Sequence, residues 1–301
     1  MKKPKIKINR KDLTNQINAI GLTELLTYLK DSDLFDIDYH DERITSAKAD
    51  RAAILHYNDK KIYLDVWEYD LPTYSKSIYR QNFDLIIKLF HSNSTKKHFL
   101  NWNKRKKIMA FVSEDEAWDY HKSIVPWTFV PSRLIQKAIK RRTIDKEYEI
   151  TQDGFFYGVR WKTRLKMFES FKKQEIDAVE SFQATRHRKL TDEKYLKKMK
   201  SSKYGIVLAG RGGYFTDRKN RREIDYMMIR KPLLINYRPN YYNPLEQDKH
   251  YIFINPETKI NALENMYNTK EIEKSCHEWY KNNATPHGAA KVFKQIMDER
   301  L

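Results

Sequence analysis

The chain of 301 residues contains a single cysteine, Cys276, and few glycines. One cysteine excludes an internal disulfide framework and a cysteine-based zinc site, and it is typical of proteins from reducing compartments. No apolar stretch approaches the roughly 20 residues that a membrane-spanning helix needs. The basic start of the sequence is not followed by the apolar segment of a secretory signal. We therefore expect a soluble, cytoplasmic protein.

Acidic residues are scarce relative to basic ones. The 58 Lys and Arg residues against 40 Asp and Glu residues give a formal net charge of +18. A surface field of this sign concentrates anions, so nucleotides, nucleic acids and acidic head groups are the partner classes that it favours. Such a surface would also allow peripheral binding to an anionic membrane.

A recognisable metal-binding pattern is also missing. The nine histidines show no close ligand spacing along the chain. Asp36 and Asp38 form a "DID" pattern, but they stand in an acidic segment that we expect to be a loop. We therefore predict no metal site.

The length predicts two domains. Residues 1–150 mix a helix near 17–29 with apolar runs that meet at a hairpin-like turn, Asn58-Asp59, and with strand-like segments at 83–92 and 106–113. Residues 186–203 form a charged run that we expect to be a solvated helix and linker without chemistry. The last 30 residues predict two helices separated near Pro286.

The second half repeats a strand, a glycine and a helix. An aromatic strand ends near Gly158 and is followed by a helix through residues 160–174. A second strand, 204–209, runs into a "GRGG" turn, then a helix that Pro232 ends before another short strand. Strand, loop, helix and strand predict a right-handed parallel crossover, hence an α/β fold with a parallel sheet. Ligands of such sheets bind beyond the carboxyl ends of the strands.

The glycine cluster lies at that edge of the predicted sheet. Glycines allow close approach of the backbone to a ligand, and a following helix start favours an anion such as phosphate. A plain turn explains the glycines equally, and the spacing matches neither a P-loop nor a dinucleotide fingerprint. A carboxylate of Glu223 or Asp225 would accept hydrogen bonds from two ribose hydroxyls, although compensation of the helix dipole explains the same residues.

About residues 150–300 resemble the carboxyl-terminal half of exostosin-like glycosyltransferases. The resemblance lies in three segments, "SKYGIVLAGRGG", "RREIDYMMIRKPLLI" and "YYNPLEQDKHYIFI". Arg222 and Glu223 match the Arg-Glu pair that opens a helix in that family, and Asp225 falls where many members carry the acid that holds the ribose. Pro232 matches the family's proline. Two features depart from the pattern: Arg230 replaces the usual small residue, and the glycine loop is longer.

The resemblance implies an α/β fold of the GT-B type, with two facing Rossmann-like domains and a cleft between them. Residues 1–150 would bind the acceptor, 151–280 would bind the nucleotide sugar, and a terminal helix, 281–301, would cross back to the first domain. The implied activity is metal-independent transfer of a sugar from a nucleotide-diphosphate sugar, a UDP- or GDP-sugar, to a hydroxyl of a glycan, protein or other acceptor. No cofactor is expected.

The donor-binding residues that follow from the motif positions lie after two strands and at one helix start. They are Gly158, Arg160, Arg164, Gly210, Arg211, Gly212, Gly213, Arg222, Glu223 and Asp225. The first three lie in "DGFFYGVRWKTR", which resembles the first strand of that family's donor domain, where a basic residue just past the strand commonly meets the diphosphate. The arginines would offset the charge of the departing diphosphate. If the reaction inverts configuration, a base in the first domain must deprotonate the acceptor, and Asp65, Glu68 and Asp70 are the candidates.

A different class of function explains the net charge more directly. A basic protein with interleaved tyrosine, tryptophan and arginine residues would bind nucleic acid through phosphates and stacking, and the "LDVWEYD" carboxylates would suit a nuclease. This alternative does not account for the order of strand, glycine turn, acidic helix start and proline.

Overall fold

The structure is a computed structural model of the whole chain. It describes residues 3–14, 22–42, 52–66, 82–89, 96–97, 99–100, 113–131, 133–159, 162–177, 179–182, 191–209 and 221–301. Among these residues, every helix is too short or too polar to cross a bilayer.

The described strands and helices alternate from residue 114 to residue 235, and elements of one kind follow one another elsewhere. The strands are β1 (Lys5–Asn9), β2 (Asp36–His40), β3 (Ala52–Tyr57), β4 (Lys60–Asp65), β5 (Leu85–Lys88), β6 (Ile124–Pro126), β7 (Gln152–Val159), β8 (Val179–Phe182), β9 (Ser202–Val207), β10 (Leu233–Ile235) and β11 (Ile252–Phe253). The helices are α1 (Arg10–Thr14), α2 (Leu22–Asp31), α3 (Glu114–Ser123), α4 (Arg133–Lys140), α5 (Lys162–Lys173), α6 (Asp192–Lys200), α7 (Arg221–Met228), α8 (Leu263–Met266), α9 (Thr269–Asn283) and α10 (Pro286–Arg300). Short 3-10 turns occupy Thr143–Asp145 and Ile260–Ala262. The predicted mixed α/β class is confirmed.

The chain divides into two compact units. The first contains Met1–Val130, Asn240–Asn243 and Asn282–Leu301, and the second contains Pro131–Pro239 and Pro244–Lys281. This division into compact units does not test the domain boundaries expected at residues 150 and 280, which stay predictions.

The first unit is built on a six-stranded mixed sheet in the order β2-β1-β3-β4-β5-β6. The predicted hairpin is confirmed: β3 and β4 pair antiparallel across the turn, where Asn58 takes a φ of 51°. Asparagine tolerates this left-handed backbone better than most residues. Strands β4, β5 and β6 then run parallel. The expected strand at 106–113 lies outside the described residues except for Ser113, which caps the following helix.

The loop expected around Asp36 and Asp38 was a wrong prediction, because both residues belong to β2, an edge strand parallel to β1. Ion pairing across the sheet explains the acidic residue at position 38. Asp38 lies 3.0 Å from the ammonium group of Lys5 on β1. Charged side chains also protect an exposed strand edge from pairing with another chain.

Helix α10 packs against α2 within the first unit. Its first turn is capped by Thr285, whose side-chain oxygen accepts the amide of Gly288, and Pro286 occupies the first helical position. The indole of Trp127 donates a 3.1 Å hydrogen bond to the carbonyl of Ala289, and its ring lies 5.1 Å from that of Phe293. The two terminal helices predicted from the sequence are confirmed.

The second unit contains a parallel sheet of five strands in the order β11-β10-β9-β7-β8. Counted from β7, this is the 2-1-3-4-5 order of doubly wound α/β folds. The inward faces of these strands and helix α5 form one apolar core that includes Phe156, Phe171, Ile206 and Leu234. The parallel crossover expected from the β9-loop-α7-β10 sequence is confirmed by the pairing of β9 with β10.

Helix α7 ends in a Schellman motif. The amide of Arg230 donates to the carbonyl of Met227, and the amide of Lys231 donates to that of Tyr226. Arg230 takes a φ of 57°, the left-handed conformation that glycine normally supplies at this point. The arginine that departs from the family pattern therefore occupies a position where the backbone still requires the glycine geometry.

We expect Arg230→Gly to stabilise the protein. Relief of the left-handed strain outweighs the extra freedom of glycine in the unfolded chain, for a net gain of about 0.5–1 kcal/mol. Urea unfolding followed by circular dichroism measures the change. Arg230→Ala is the matched control, because it removes the exposed side chain but keeps the strained Cβ. An equal gain in both variants would contradict the strain argument.

Candidate functional site

The carboxyl edge of the parallel sheet opens between β7 and β9. Pairing of these strands ends at Phe155 and Gly205, beyond which β7 pairs with β8 through Val159 and β9 pairs with β10 through Val207. From β7 the chain continues to β8 on one side of this point, and from β9 it continues to β10 on the other side. In doubly wound sheets such a switch point is where ligands bind.

Tyr226 of α7 closes the end of the β7–β9 ladder. Its hydroxyl donates to the carbonyl of Phe155, and its ring lies against Gly205. A Cβ at position 205 would lie 2.4 Å from the Cγ of Tyr226, so only glycine allows the ring this position. The ring fixes the first turns of α7 against the switch point.

Arg164 extends from α5 to the far side of the switch point. Its Nε donates to the carbonyl of Ala209 at 2.7 Å and its Nη2 to that of Leu208 at 3.0 Å. The guanidinium also lies 4.9 Å from the ring centre of Phe156. The amide of Ala209 is held in turn by the side chain of Asn236, at 2.7 Å. Arg164 and Asn236 therefore fix the backbone from which the glycine loop departs.

Two carboxylates from the first turns of α7 are buried beside this backbone. Glu223 and Asp225 are both 0% exposed. The hydroxyl of Tyr237, just after β10, donates to Glu223, and the hydroxyl of Tyr195 on α6 donates to Asp225 at 3.2 Å. Burial and the neighbouring carboxylate raise the pKa of both tyrosines well above the ordinary value, so both hydroxyls stay protonated donors.

Arg222 is the common electrostatic neighbour of these groups. Burial, together with the positive charge of Arg222, lowers the pKa of Arg164 to about 10. The same charge lowers the pKa of Tyr195, Tyr226 and Tyr237, against the stronger effect of burial. We call Arg164, Tyr195, Arg222, Glu223, Asp225 and Tyr237 the switch-point cluster.

The switch-point cluster combines cations with acceptors at one sheet edge. Arg222 is half-buried and Arg164 is buried. Guanidinium groups bind phosphate oxygens through paired N–H donors, and carboxylates accept hydrogen bonds from hydroxyl groups. The cluster therefore contains the residue types that bind phosphate and hydroxyl groups, although its carboxylates, like Asp65, are fully buried.

The structure gathers four of the predicted donor residues in the second unit. Arg164, Arg222, Glu223 and Asp225 belong to the switch-point cluster, and Gly158 lies on β7, paired in register with Ser181. The remaining donor residues, Arg160, Gly210, Arg211, Gly212 and Gly213, lie outside the described residues. So do Glu68 and Asp70 among the predicted bases.

Sequence reasoning missed both tyrosines of the cluster. Tyr195 stands in the charged run that was expected to be solvated and without chemistry, yet it is 2% exposed. The available signal was the spacing of Tyr195, Leu196 and Met199. These three residues form the buried face of α6, and lysines occupy positions between them in the sequence. Tyr237 gave no such signal, because an aromatic residue after an apolar strand is most often core.

Asp65 of the first unit has a defined partner. It ends β4 directly opposite Lys88 of β5, and their side chains form a 2.9 Å ion pair in which both are 0% exposed. In this structure the carboxylate has no surface that an acceptor would meet. The catalytic role of Asp65 stays a prediction.

A separate group in the first unit has metal-ligand chemistry. His40 and His56 lie with Glu42 so that one ligand atom from each falls within 4.8 Å of the others. Sixteen positions separate the two histidines, and β1 lies between their strands in the sheet, so sequence spacing did not reveal the group.

No protein-family model matches the sequence, and a search of the curated proteins finds no match. The resemblance to exostosin-like glycosyltransferases therefore stays a prediction that depends on the residues quoted above.

We expect Asp65→Asn to lower the free energy of unfolding by about 3–5 kcal/mol, because it leaves the ammonium group of Lys88 buried without its carboxylate. The double variant Asp65→Leu, Lys88→Met should recover most of this loss, since it removes both charges. Urea unfolding measures both effects. Asp33→Asn is the control, because its ion pair with Lys3 is exposed to solvent and contributes little to stability. A loss for Asp65→Asn no larger than that of the control would contradict the buried-pair assignment.

Proposed function

We propose that this protein is a metal-independent glycosyltransferase that moves a sugar from a nucleotide-diphosphate sugar, such as a UDP- or GDP-sugar, to a hydroxyl of a glycan, protein or other acceptor. The observation that carries the proposal is the switch-point cluster. It brings Arg164, Arg222 and two buried carboxylates to the edge of a 2-1-3-4-5 parallel sheet. The exostosin-like motif order independently points to the same residues.

The diphosphate would lie against Arg222 and the start of α7. The amino-terminal end of a helix carries partial positive charge and outward amides, which favour a phosphate group. Arg164 contributes a fixed positive charge while its donors hold Leu208 and Ala209. These charges would stabilise the diphosphate as it departs, which is the step at which negative charge grows.

The ribose would be held by a carboxylate of α7. Glu223 accepts from Tyr237 and Asp225 from Tyr195, and both carboxylates are fully buried, so a ribose would reach one of them only after a shift of the first turns of α7. The raised pKa of Tyr195 and Tyr237 keeps these hydroxyls as donors, which orients both carboxylates. A rigid carboxylate binds a diol with less loss of side-chain freedom than a mobile one.

Acceptor binding and any base would come from the first domain, in the proposed GT-B arrangement. An inverting reaction requires a carboxylate within reach of the acceptor hydroxyl, and a retaining reaction does not. The ion pair of Asp65 with Lys88 makes Glu68 and Asp70 the stronger candidates. The sheet order supports a Rossmann-like character for the second unit in particular.

Arg222→Gln should weaken binding of free nucleoside diphosphates at least about tenfold, because it removes the central positive charge of the cluster while retaining much of the side-chain volume. Isothermal titration of the full-length protein with UDP and GDP, with and without magnesium, measures the effect. Arg141→Gln is the matched control, because Arg141 is exposed at the end of α4. Equal nucleotide affinity in wild type and Arg222→Gln would count against the proposal.

The same titration series separates the nucleic-acid alternative. Binding of one nucleotide without magnesium supports a sugar-nucleotide site. Salt-sensitive binding of both single-stranded and duplex DNA, with no response to any free nucleotide, would favour nucleic acid instead. Release of free sugar from a panel of UDP- and GDP-sugars then tests for transfer chemistry.

A further inference from the structure

The polar face of the first unit's sheet carries a group that the proposed transferase reaction does not use. His40 ends β2, Glu42 follows two residues later, and His56 lies on β3. The imidazole rings of His40 and His56 lie 4.9 Å apart in an edge-on arrangement. Lys61 of β4 completes the group through an ion pair with Glu42. We call these residues the histidine cluster.

We propose that His40, Glu42 and His56 form a binding site for a divalent transition metal of the zinc class. Their ligand atoms lie within 4.8 Å of one another. Two imidazoles and one carboxylate are a ligand set that zinc takes in proteins, with a water as the fourth ligand. Bond lengths of about 2.0–2.2 Å require ligand atoms about 3.3–3.5 Å apart. Side-chain rotations that move these atoms by roughly 1 Å would therefore close the site.

The hydrogen bonds of His40 fix its tautomer. Its Nε2 lies 3.0 Å from the carbonyl of Ile54, which only accepts hydrogen bonds, so Nε2 carries the proton. Its Nδ1 accepts the amide of Glu42 at 3.0 Å and therefore holds the lone pair, which makes it the ligand atom that His40 offers. A metal ion would displace this amide from Nδ1. Donation from the other ring nitrogen to a backbone carbonyl is the usual second-shell contact of a metal-binding histidine.

His56 and Glu42 share a proton where the metal would bind. Nε2 of His56 lies 2.9 Å from Oε2 of Glu42, a distance at which the imidazole donates to the carboxylate. A metal ion would replace this proton and bind both atoms. Metal sites commonly release protons on binding in this way.

Lys61 is the competitor for the same carboxylate. Its ammonium group pairs with Oε1 of Glu42. The side chains of His56 and Glu42 are 26% and 37% exposed, so an ion reaches them from solvent without opening the fold. Removal of the lysine charge should therefore tighten metal binding. A purely structural hydrogen-bond network predicts no metal uptake in either protein.

The donor set also selects among ions. Imidazole suits zinc, nickel, cobalt and copper, whereas magnesium and calcium prefer oxygen ligands and more of them. Zinc is thus the probe of choice, and magnesium is the negative control.

The experiment measures metal in the full-length protein directly. Protein treated with chelator is dialysed against zinc chloride at pH 7.5, and bound zinc is determined by inductively coupled plasma mass spectrometry. Wild type should retain about one equivalent, and zinc but not magnesium should raise its Tm. Lys61→Met should bind zinc about tenfold more tightly in a chelator competition titration, and Glu42→Gln and His56→Gln should bind it at least about tenfold more weakly.

His287→Gln is the matched control, because His287 is an exposed histidine on α10. Its zinc content should equal that of wild type. Glu42→Gln keeps the shape of the side chain, so it reports ligand loss even if a histidine variant folds poorly. Two results would overturn the proposal: no zinc retained by wild type and Lys61→Met, or zinc retained unchanged by the His40→Gln, His56→Gln double variant.

Discussion

The burial of two carboxylates at the start of one short helix is the constraint on which the second unit depends. Glu223 and Asp225 are both 0% exposed, and an uncompensated buried carboxylate costs several kcal/mol. Hydrogen bonds from tyrosine hydroxyls on α6 and at the end of β10 offset that cost, together with the positive charge of Arg222. Two separate elements are thereby tied to α7, which explains why charged residues lie beside the apolar core.

The sheet order decides where this charge collects. Because β7 and β9 part after Phe155 and Gly205, the first turns of α7 reach the gap through Tyr226, and Arg164 spans it from α5. A glycine at position 205 is what allows the tyrosine ring so close to the strand. Backbone geometry and electrostatics therefore converge on one edge, as in other doubly wound sheets.

The fold was predictable where a pattern is local, and the site only where residues are close in sequence. The hairpin at Asn58, the crossover after β9 and the paired terminal helices follow from turn residues and periodicity. The edge strand β2 was not predictable, because Asp38 gains its ion-pair partner, Lys5, only when β1 pairs with β2. Tyr195 and the histidine cluster depend likewise on tertiary neighbours.

The net charge of +18 does not by itself distinguish a small anion from a polyanion, but the burial of individual cations does. Lys88 and Arg164 are buried at 0% and 3% exposure and bind groups of the protein itself. Lysines such as Lys194 on α6 are exposed, and these would meet a nucleic-acid backbone. Arg222 is half-buried, at the start of α7. A cation at that depth suits a diphosphate better than a duplex, because a long polymer contacts the surface and a small ligand enters the sheet edge.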